Sequence, residues 1–351
     1  MLKDKLTLLM PTSINRLPYF RANLCHLEEQ GFNGRLMVLD WGGKRLDEMG
    51  LWSADAPYSV DYRYYGPQMP FHERMRDGAA RADTPYLLIY PDDDFFFVDT
   101  LGECVRFLEA NRDFAAAQGA VFKVELVRER NAGTPKSTYR PVTVIECLQA
   151  DPLERLHFLA RNYSHWIYCV QRKETMLERL ENVARFAKNP AFAEYYDTLF
   201  TAAKGRTKLI PSIGSVRSIH DMNTYDVLRK SRSRDCFPYA LLDSAFSEKF
   251  AHFRDGLADL LAANGRMVDE AARKMLEDAA DGVIRWAVAS LRDREGQAMF
   301  EVYDGLMAEL LKRNDEGSKL VKIRQLTLQA GLIPHTELNP EEGWSFEIRN
   351  D

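Results

Sequence analysis

The stretch Tyr86-Leu87-Leu88-Ile89-Tyr90-Pro91-Asp92-Asp93-Asp94-Phe95 decides the fold, because an apolar run ends abruptly in three consecutive carboxylates. A run of this length and content suits a strand buried on both faces, as in a parallel sheet covered by helices. The carboxyl end of such a strand is where open α/β sheets bind ligands. Two unit charges about 4–5 Å apart repel by roughly 1 kcal/mol in water and by roughly 3–4 kcal/mol at an effective dielectric near 20. Three carboxylates at the edge of a core therefore need compensation, and a divalent cation would supply it. If the chain stays extended, Asp92 and Asp94 point to one side and Asp93 to the other. Two oxygen ligands, with substrate phosphates completing an octahedron, is how Mg²⁺ or Mn²⁺ is usually held in phosphate chemistry. The plain alternative is a solvated turn ahead of a helix, for which Asp99-Thr100 is a separate cap.

Toward the N-terminus, Leu6-Thr7-Leu8-Leu9-Met10 reads as a first strand closed by Pro11-Thr12-Ser13, and Leu17, Phe20, Leu24 and Leu27 recur at helical spacing before Gly31. Arg35 to Asp40 is a second strand. Strand, helix and strand in about 35 residues make a right-handed crossover unit, which predicts a parallel sheet. Ser59 to Tyr64 is a third strand, and a helix from Phe71 to Ala82 leads into the acid-tipped strand. Downstream the pattern predicts a helix from Thr100 to Asn111, a strand region from Ala115 to Val127 and a loop from Gly133 to Arg140. A short helix from Leu153 to Leu159, a strand from Trp166 to Val170, a helix from Phe192 to Ala203 and a last short strand from Lys208 to Pro211 follow.

Beyond about residue 236 the pattern turns helical, with Leu242, Phe246, Phe250, Phe253, Leu257, Leu260 and Leu261, then Val268, Ala272, Met275, Ala279 and Val283, and later Phe300, Val302, Leu306 and Leu310. The fold class expected is α/β: a Rossmann-type, mostly parallel sheet flanked by helices over residues 1–235, then an all-α C-terminal region over 236–351. The helical faces are amphipathic without a strongly basic side, which favours protein packing, including a homo-oligomer, over membrane insertion.

The chain's 351 residues suffice for a large core, and a composition of 46% apolar and 28% charged residues excludes disorder as a whole. A formal charge of −5 gives no overall bias toward nucleic acid, so no nucleic-acid partner is expected. Cys25, Cys104, Cys147, Cys169 and Cys236 are odd in number, widely spaced and never in a C-x-x-C arrangement, which argues against a disulfide framework and a zinc knuckle. The N-terminus passes straight into a strand without a signal-like segment, and no apolar run approaches the roughly 20 residues of a membrane span. The expected location is the cytoplasm, with peripheral contact at the inner face of the membrane left open.

Four signals then combine. Pro11-Thr12-Ser13 with Asn15-Arg16 follows the first strand, Asp40 ends the second, Arg76-Asp77-Gly78 lies in the helix before the fourth, and Pro91-Asp92-Asp93-Asp94 follows it. In this order and spacing the chain resembles the GT-A glycosyltransferases, family 2 in particular, over roughly residues 6–220. The resemblance implies a GT-A-like nucleotide-sugar-binding domain in which Pro11, Thr12, Arg16 and Asp40 hold base and ribose. It further implies that Arg76 faces the diphosphate or fixes the nucleotide loop, that Asp92 contacts ribose or metal with Asp93 beside it, and that Asp94 ligates Mn²⁺ or Mg²⁺ directly. His220, at the end of the last strand, stands where similar enzymes provide a third metal contact. Arg217 and the run from Arg229 to Arg234 bring positive charge near a leaving diphosphate. Each has a plain structural alternative: a helix cap for Thr12 or Ser13, a turn former for Asp40, a solvated surface for Arg76 and the basic run, a structural role for His220.

An inverting transfer from a nucleotide sugar, a UDP-sugar by expectation, needs a carboxylate base for the acceptor hydroxyl and a Lewis acid for the leaving diphosphate. The resemblance places the base at Glu194-Tyr195-Tyr196-Asp197, where Glu-Tyr replaces the family's usual Glu-Asp pair. Glu194 and Asp197 lie three apart on one helical face, with Asp197 preferred. Ser164, His165 and Trp166 suit contact with a glycan or lipid-linked acceptor, although Trp166 serves equally as core. A nucleotidyltransferase would carry a glycine-rich phosphate loop after the first strand, which Pro11-Thr12-Ser13-Ile14 is not. A non-catalytic nucleotide-sugar-binding or scaffold protein is the other alternative, favoured by the departure at Glu194-Tyr195.

Overall fold

The acid-tipped run forms β4 (Tyr86–Ile89), and its alternate side chains enter two different cores, as a strand with both faces covered must. Tyr86, Leu88 and Tyr90 pack with Leu6, Leu8 and Met10 of β1 (Leu6–Thr12) and with Leu36 and Val38 of β2 (Arg35–Asp40). That face is closed by Phe20, Leu24 and Leu27 of α1 (Leu17–Glu29) and by Leu101, Val105 and Leu108 of α3 (Val98–Ala110). Leu87 and Ile89 pack on the other side with Leu9, Met37 and Leu39. There α2 (Phe71–Arg81) contributes Met75 and Ala79, and α5 (Lys173–Phe186) contributes Met176 and Leu180.

The computed structural model describes residues 2–52, 55–127, 136–162, 164–187, 190–219, 246–265, 267–270 and 272–282. His220, the basic run from Arg229 to Arg234 and the helical positions expected from Val283 onward lie outside the described residues. Among the described residues, nine strands form one sheet. β1 pairs in parallel with β2 and with β4, and β2 pairs in parallel with β3 (Ser59–Tyr64). The chain winds outward from β1 to β3 and then returns to set β4 on the other side of β1, so the winding direction reverses between β1 and β4. Beyond β4 come the antiparallel β8 (Val170–Arg172) and then β6 (Phe114–Val127), which also pairs with β7 (Lys136–Val142). β9 (Arg206–Ile219) runs parallel to β6, and β5 (Asp94–Phe96) antiparallel to β9. This is the α/β architecture expected, with the parallel half carrying the acid-tipped strand.

Several local expectations shift. The last strand runs on past Pro211 to Ile219: Gly119 pairs with Ile210 and Ala120 with Ile213, so Pro211 and Ser212 bulge out of the ladder where a proline is tolerated. The apolar run Trp166–Val170 enters a strand only at its end, where β8 begins at Val170, and Cys169 Sγ turns back onto Trp166 O at 2.7 Å. Lys136–Val142 is a strand where the loop from Gly133 to Arg140 was expected.

Two compact units divide the chain. The first carries the whole sheet with α1, α2 and α3. The second draws on Leu156–Tyr163 and Phe186–Leu199, and on α7 (Phe246–Ala263) and the helical residues 272–282. Leu156–Tyr163 includes the end of α4 (Pro152–Arg161), and Phe186–Leu199 includes most of α6 (Pro190–Lys204). Within it Phe192 and Tyr196 of α6 lie against Phe253 with ring centroids 5.5 and 6.0 Å apart, and Tyr196 Oη donates to Gly256 O at 3.0 Å.

Candidate functional site

The winding direction reverses between β1 and β4, a place at whose carboxyl ends open α/β sheets bind ligands, and Thr12 and Asp92 meet there. Thr12 Oγ1 donates to Asp92 Oδ2 at 2.7 Å. Ser13 begins the single 3-10 turn Ile14–Arg16 that precedes α1, and this turn aims Arg16 back at the acidic triplet. Arg16 Nε donates to both oxygens of Asp92, at 2.6 and 2.9 Å, and Nη2 lies 2.7 Å from Asp93 Oδ2. Asn23 of α1 donates to Asp92 O at 2.6 Å and accepts from Tyr90 Oη, fixing the turn against the core. Burial pushes the Asp92 carboxyl up to about 6, with the Arg16 charge and the Thr12 hydrogen bond pulling against it.

Asp40 stands beside Thr12 in the β1–β2 register and is wholly buried. Its Oδ1 accepts from Gly42 N at 2.9 Å, and its Oδ2 accepts from Leu46 N at 3.0 Å and from Tyr62 Oη at 2.6 Å. The carboxylate thus shapes the loop after β2, as a turn-forming aspartate does. The next residue, Trp41, donates its backbone N–H to Thr12 O.

α2 comes close to β2 because Gly78 has no side chain: a Cβ there would lie 2.9 Å from Leu39 Cδ1. One turn earlier on the same face is Arg74, 6% exposed, with its guanidinium 5.2 Å from the Trp41 ring centroid. Among the described residues its buried Nε and Nη1 have no hydrogen-bond partner, and burial lowers its pKa to about 10 against the opposing pull of Tyr65 and Asp40. Arg76, the arginine singled out in the sequence, is exposed on α2. The period of Met75, Gly78, Ala79 and Ala82 puts Arg74 on the buried face and Arg76 off it, so the signal was present in the spacing.

The third carboxylate is held differently. Asp94 opens β5 opposite Arg217 of β9, and Arg217 Nε lies 3.3 Å from its Oδ2. Within the chain, then, Arg16 compensates Asp92 and Asp93, and Arg217 compensates Asp94. Among the described residues no three His, Cys, Asp or Glu side chains gather as a closed metal set. The chemistry of the donors still fits Mg²⁺ or Mn²⁺: Asp93 and Asp94 are adjacent hard-oxygen carboxylates at a strand end, the kind of partial shell that substrate oxygens complete. Asp92 has both oxygens on Arg16 and one also on Thr12, so within the chain its carboxylate is already hydrogen-bonded.

The remaining residues fall elsewhere. Pro11 sits within β1, in register with Leu39. Ser164 and Trp166 are buried; Ser164 Oγ accepts from Ile145 N at 2.9 Å, and Trp166 Nε1 donates to Ile145 O at 3.2 Å, so both hold the 145–166 corner. His165 is half-buried with its ring 5.1 Å from that of Tyr168. Glu194, half-buried, and Asp197, buried, lie on the part of α6 that belongs to the second unit.

No family model matches the chain, and no curated protein matches it. Among solved structures it is similar to S. aureus TarS at 14% identity and a TM-score of 0.42, over 92% of this chain and 55% of that one, so it spans about half of the TarS chain. It is similar to S. aureus TarS 1-349 in complex with UDP-GlcNAc at 14% identity and a TM-score of 0.48, covering 98% of this chain and 100% of that one. It is also similar to the mannosyltransferase PcManGT from Pyrobaculum calidifontis in complex with GDP-Man and Mn²⁺, at 12% identity and a TM-score of 0.46, over 97% and 89% of the two chains.

Proposed function

We propose that the chain is a metal-dependent glycosyltransferase that moves a sugar from a nucleoside-diphosphate donor, a UDP-sugar, to a hydroxyl of a glycan or lipid-linked acceptor. The observation that carries this reading is the convergence at the carboxyl ends of β1 and β4 of Thr12, Arg16 and the Asp92–Asp94 triplet, with the Asp40 loop and the buried Arg74 beside it. Arg74 offers two buried N–H donors to carbonyl or phosphate oxygens of a nucleotide, and the Asp40 loop shapes the neighbouring wall. Arg16 and Thr12 fix Asp92, which sets the direction of Asp93 and Asp94. Those two carboxylates would hold Mn²⁺ or Mg²⁺, which when bound stabilises charge on the leaving diphosphate. A carboxylate of α6, Asp197 ahead of Glu194, takes the proton of the attacking hydroxyl. His165 remains the acceptor-side residue of this reading. Among the described residues no helix is long and apolar enough to cross a membrane.

Incubation with a panel of nucleotide sugars, with and without Mn²⁺, tests this through release of nucleoside diphosphate. The expected result is cation-dependent release with at least one donor, lowered on the order of 100-fold or more by Asp94→Ala, the scale of losing one electrostatic contact to a transition state. Tight nucleotide-sugar binding without turnover for any acceptor would favour the non-catalytic reading instead. Full cation-dependent activity in Asp94→Ala would sink the assignment of the site.

A further inference from the structure

Asp94 and Arg217 face each other in the antiparallel β5–β9 register, and Arg217 also has Lys123 of β6 as its parallel register partner. Side chains at paired positions share one face of a sheet, so one carboxylate and two cations stand in a row across three strands. The two members of the ion pair differ in access: the Asp94 side chain is 5% exposed and that of Arg217 is 26% exposed. The guanidinium lies 5.2 Å from the Tyr168 ring centroid, a contact that tolerates sliding because the ring face is broad.

A divalent cation on Asp94 and a guanidinium in contact with the same carboxylate repel each other. The pair must therefore loosen when a cation binds. A diphosphate arriving with the cation gives Arg217 a better acceptor than the carboxylate it leaves, because a guanidinium donates to phosphate oxygens in a geometry it is built for. We propose that Arg217 is a displaceable counter-ion of Asp94: it closes the carboxylate to a bare divalent cation and passes to the diphosphate when cation and nucleotide bind together. This rests on the reading of Asp94 as a cation ligand. The consequence is a coupling between cation and nucleotide, equal in both directions, built into one ion pair.

Mn²⁺ binding followed by electron paramagnetic resonance of the free ion, with and without UDP, reads this directly and needs no turnover. Arg217→Gln keeps a polar side chain of moderate length and removes the charge, and Arg217→Met serves if the glutamine variant does not fold. Mn²⁺ alone is expected to bind the neutral variant about tenfold tighter than the wild type, and the tightening of Mn²⁺ by UDP is expected to shrink by about the same factor. Equal or weaker binding of Mn²⁺ alone by a folded neutral variant would overturn the proposal. Asp94→Asn separates the two layers: loss of Mn²⁺ binding supports the site, whereas undiminished Mn²⁺ binding in Asp94→Asn overturns the cation site itself and the counter-ion with it.

Discussion

Among the described residues no carboxylate lies within ion-pair distance of Arg74, which is held over an indole at the end of β2. A guanidinium pKa brought from 12.5 to about 10 by burial corresponds to about 3 kcal/mol against the charged form. The folded pKa is depressed, so that penalty is present at every pH below about 10 and disappears only as the group loses its proton above it. Stacking on Trp41 returns about 1–2 kcal/mol, which leaves a net destabilisation of about 1–2 kcal/mol at neutral pH. Arg74→Met, of similar length and no charge, is therefore expected to raise unfolding free energy in urea by about that amount while weakening nucleotide binding on the order of tenfold or more. This combination is the usual signature of a residue kept for function. A loss of more than 1 kcal/mol in the same melt would mean that the buried donors are satisfied after all. The sequence pointed at Arg76 because it belongs to the Arg-Asp-Gly triplet of the resemblance; helical spacing, which puts Arg74 on the face with Met75 and Ala79, was the better guide to which guanidinium turns inward. Thr12, Arg16 and the acidic triplet were legible because each closes or follows a strand whose apolar run is unmistakable. That Asp92 would be clamped by Arg16 was not legible, since the contact joins residues 76 positions apart.

At the scale of elements, β1, β2 and β4 could be read from the sequence because burial on both faces leaves little but apolar side chains in them. β9 could not, because the features that make it work look like a strand end: a proline, two serines and a glycine after Ile210. The glycine is required by the neighbouring strand. A Cβ on Gly214 would come within 2.6 Å of Gly119 Cα, and a Cβ on Gly119 within 2.6 Å of Gly214 N and Cα. Both neighbours are backbone, which cannot swing aside as a side chain can. Gly119→Ala or Gly214→Ala is expected to destabilise by about 2–3 kcal/mol or more, the upper end for overpacking. It would also disturb the β5–β9 register that presents Asp94. Gly43→Ala, where a Cβ meets nothing within 4 Å, is the control, with an expected change within about 0.5 kcal/mol. Comparable melting temperatures for Gly119→Ala and Gly43→Ala would show that the two strands can separate there without loss.

For the molecule as a whole, composition predicted a change of character near residue 236, and among the described residues beyond it α7 and residues 272–282 are helical. Composition does not report that the second unit also recruits earlier chain, Leu156–Tyr163 and Phe186–Leu199, because that depends on contacts across many residues. Phe192 and Tyr196 precede the compositional change yet are buried within that unit, against Phe250 and Phe253 of α7. Phe186 and Tyr196 also crowd Gly256, where a Cβ would lie 2.7 Å from Phe186 Cβ and 2.8 Å from Tyr196 Cε2. Burying one such aromatic side chain stabilises by about 1.5–3 kcal/mol, so a chain ending at residue 235 loses several kcal/mol and exposes an apolar face at once. A face of that kind drives association. The chain 1–235 is therefore expected to elute from size exclusion as soluble aggregate or to precipitate, whereas the full chain stays discrete. Co-expression with residues 236–351 is expected to restore a discrete species, since the missing partner of Phe192 and Tyr196 is then supplied in trans. A monodisperse 1–235 chain with a cooperative melt would show instead that the α6 aromatics find cover within the first 235 residues, and that the later helices are a separable addition.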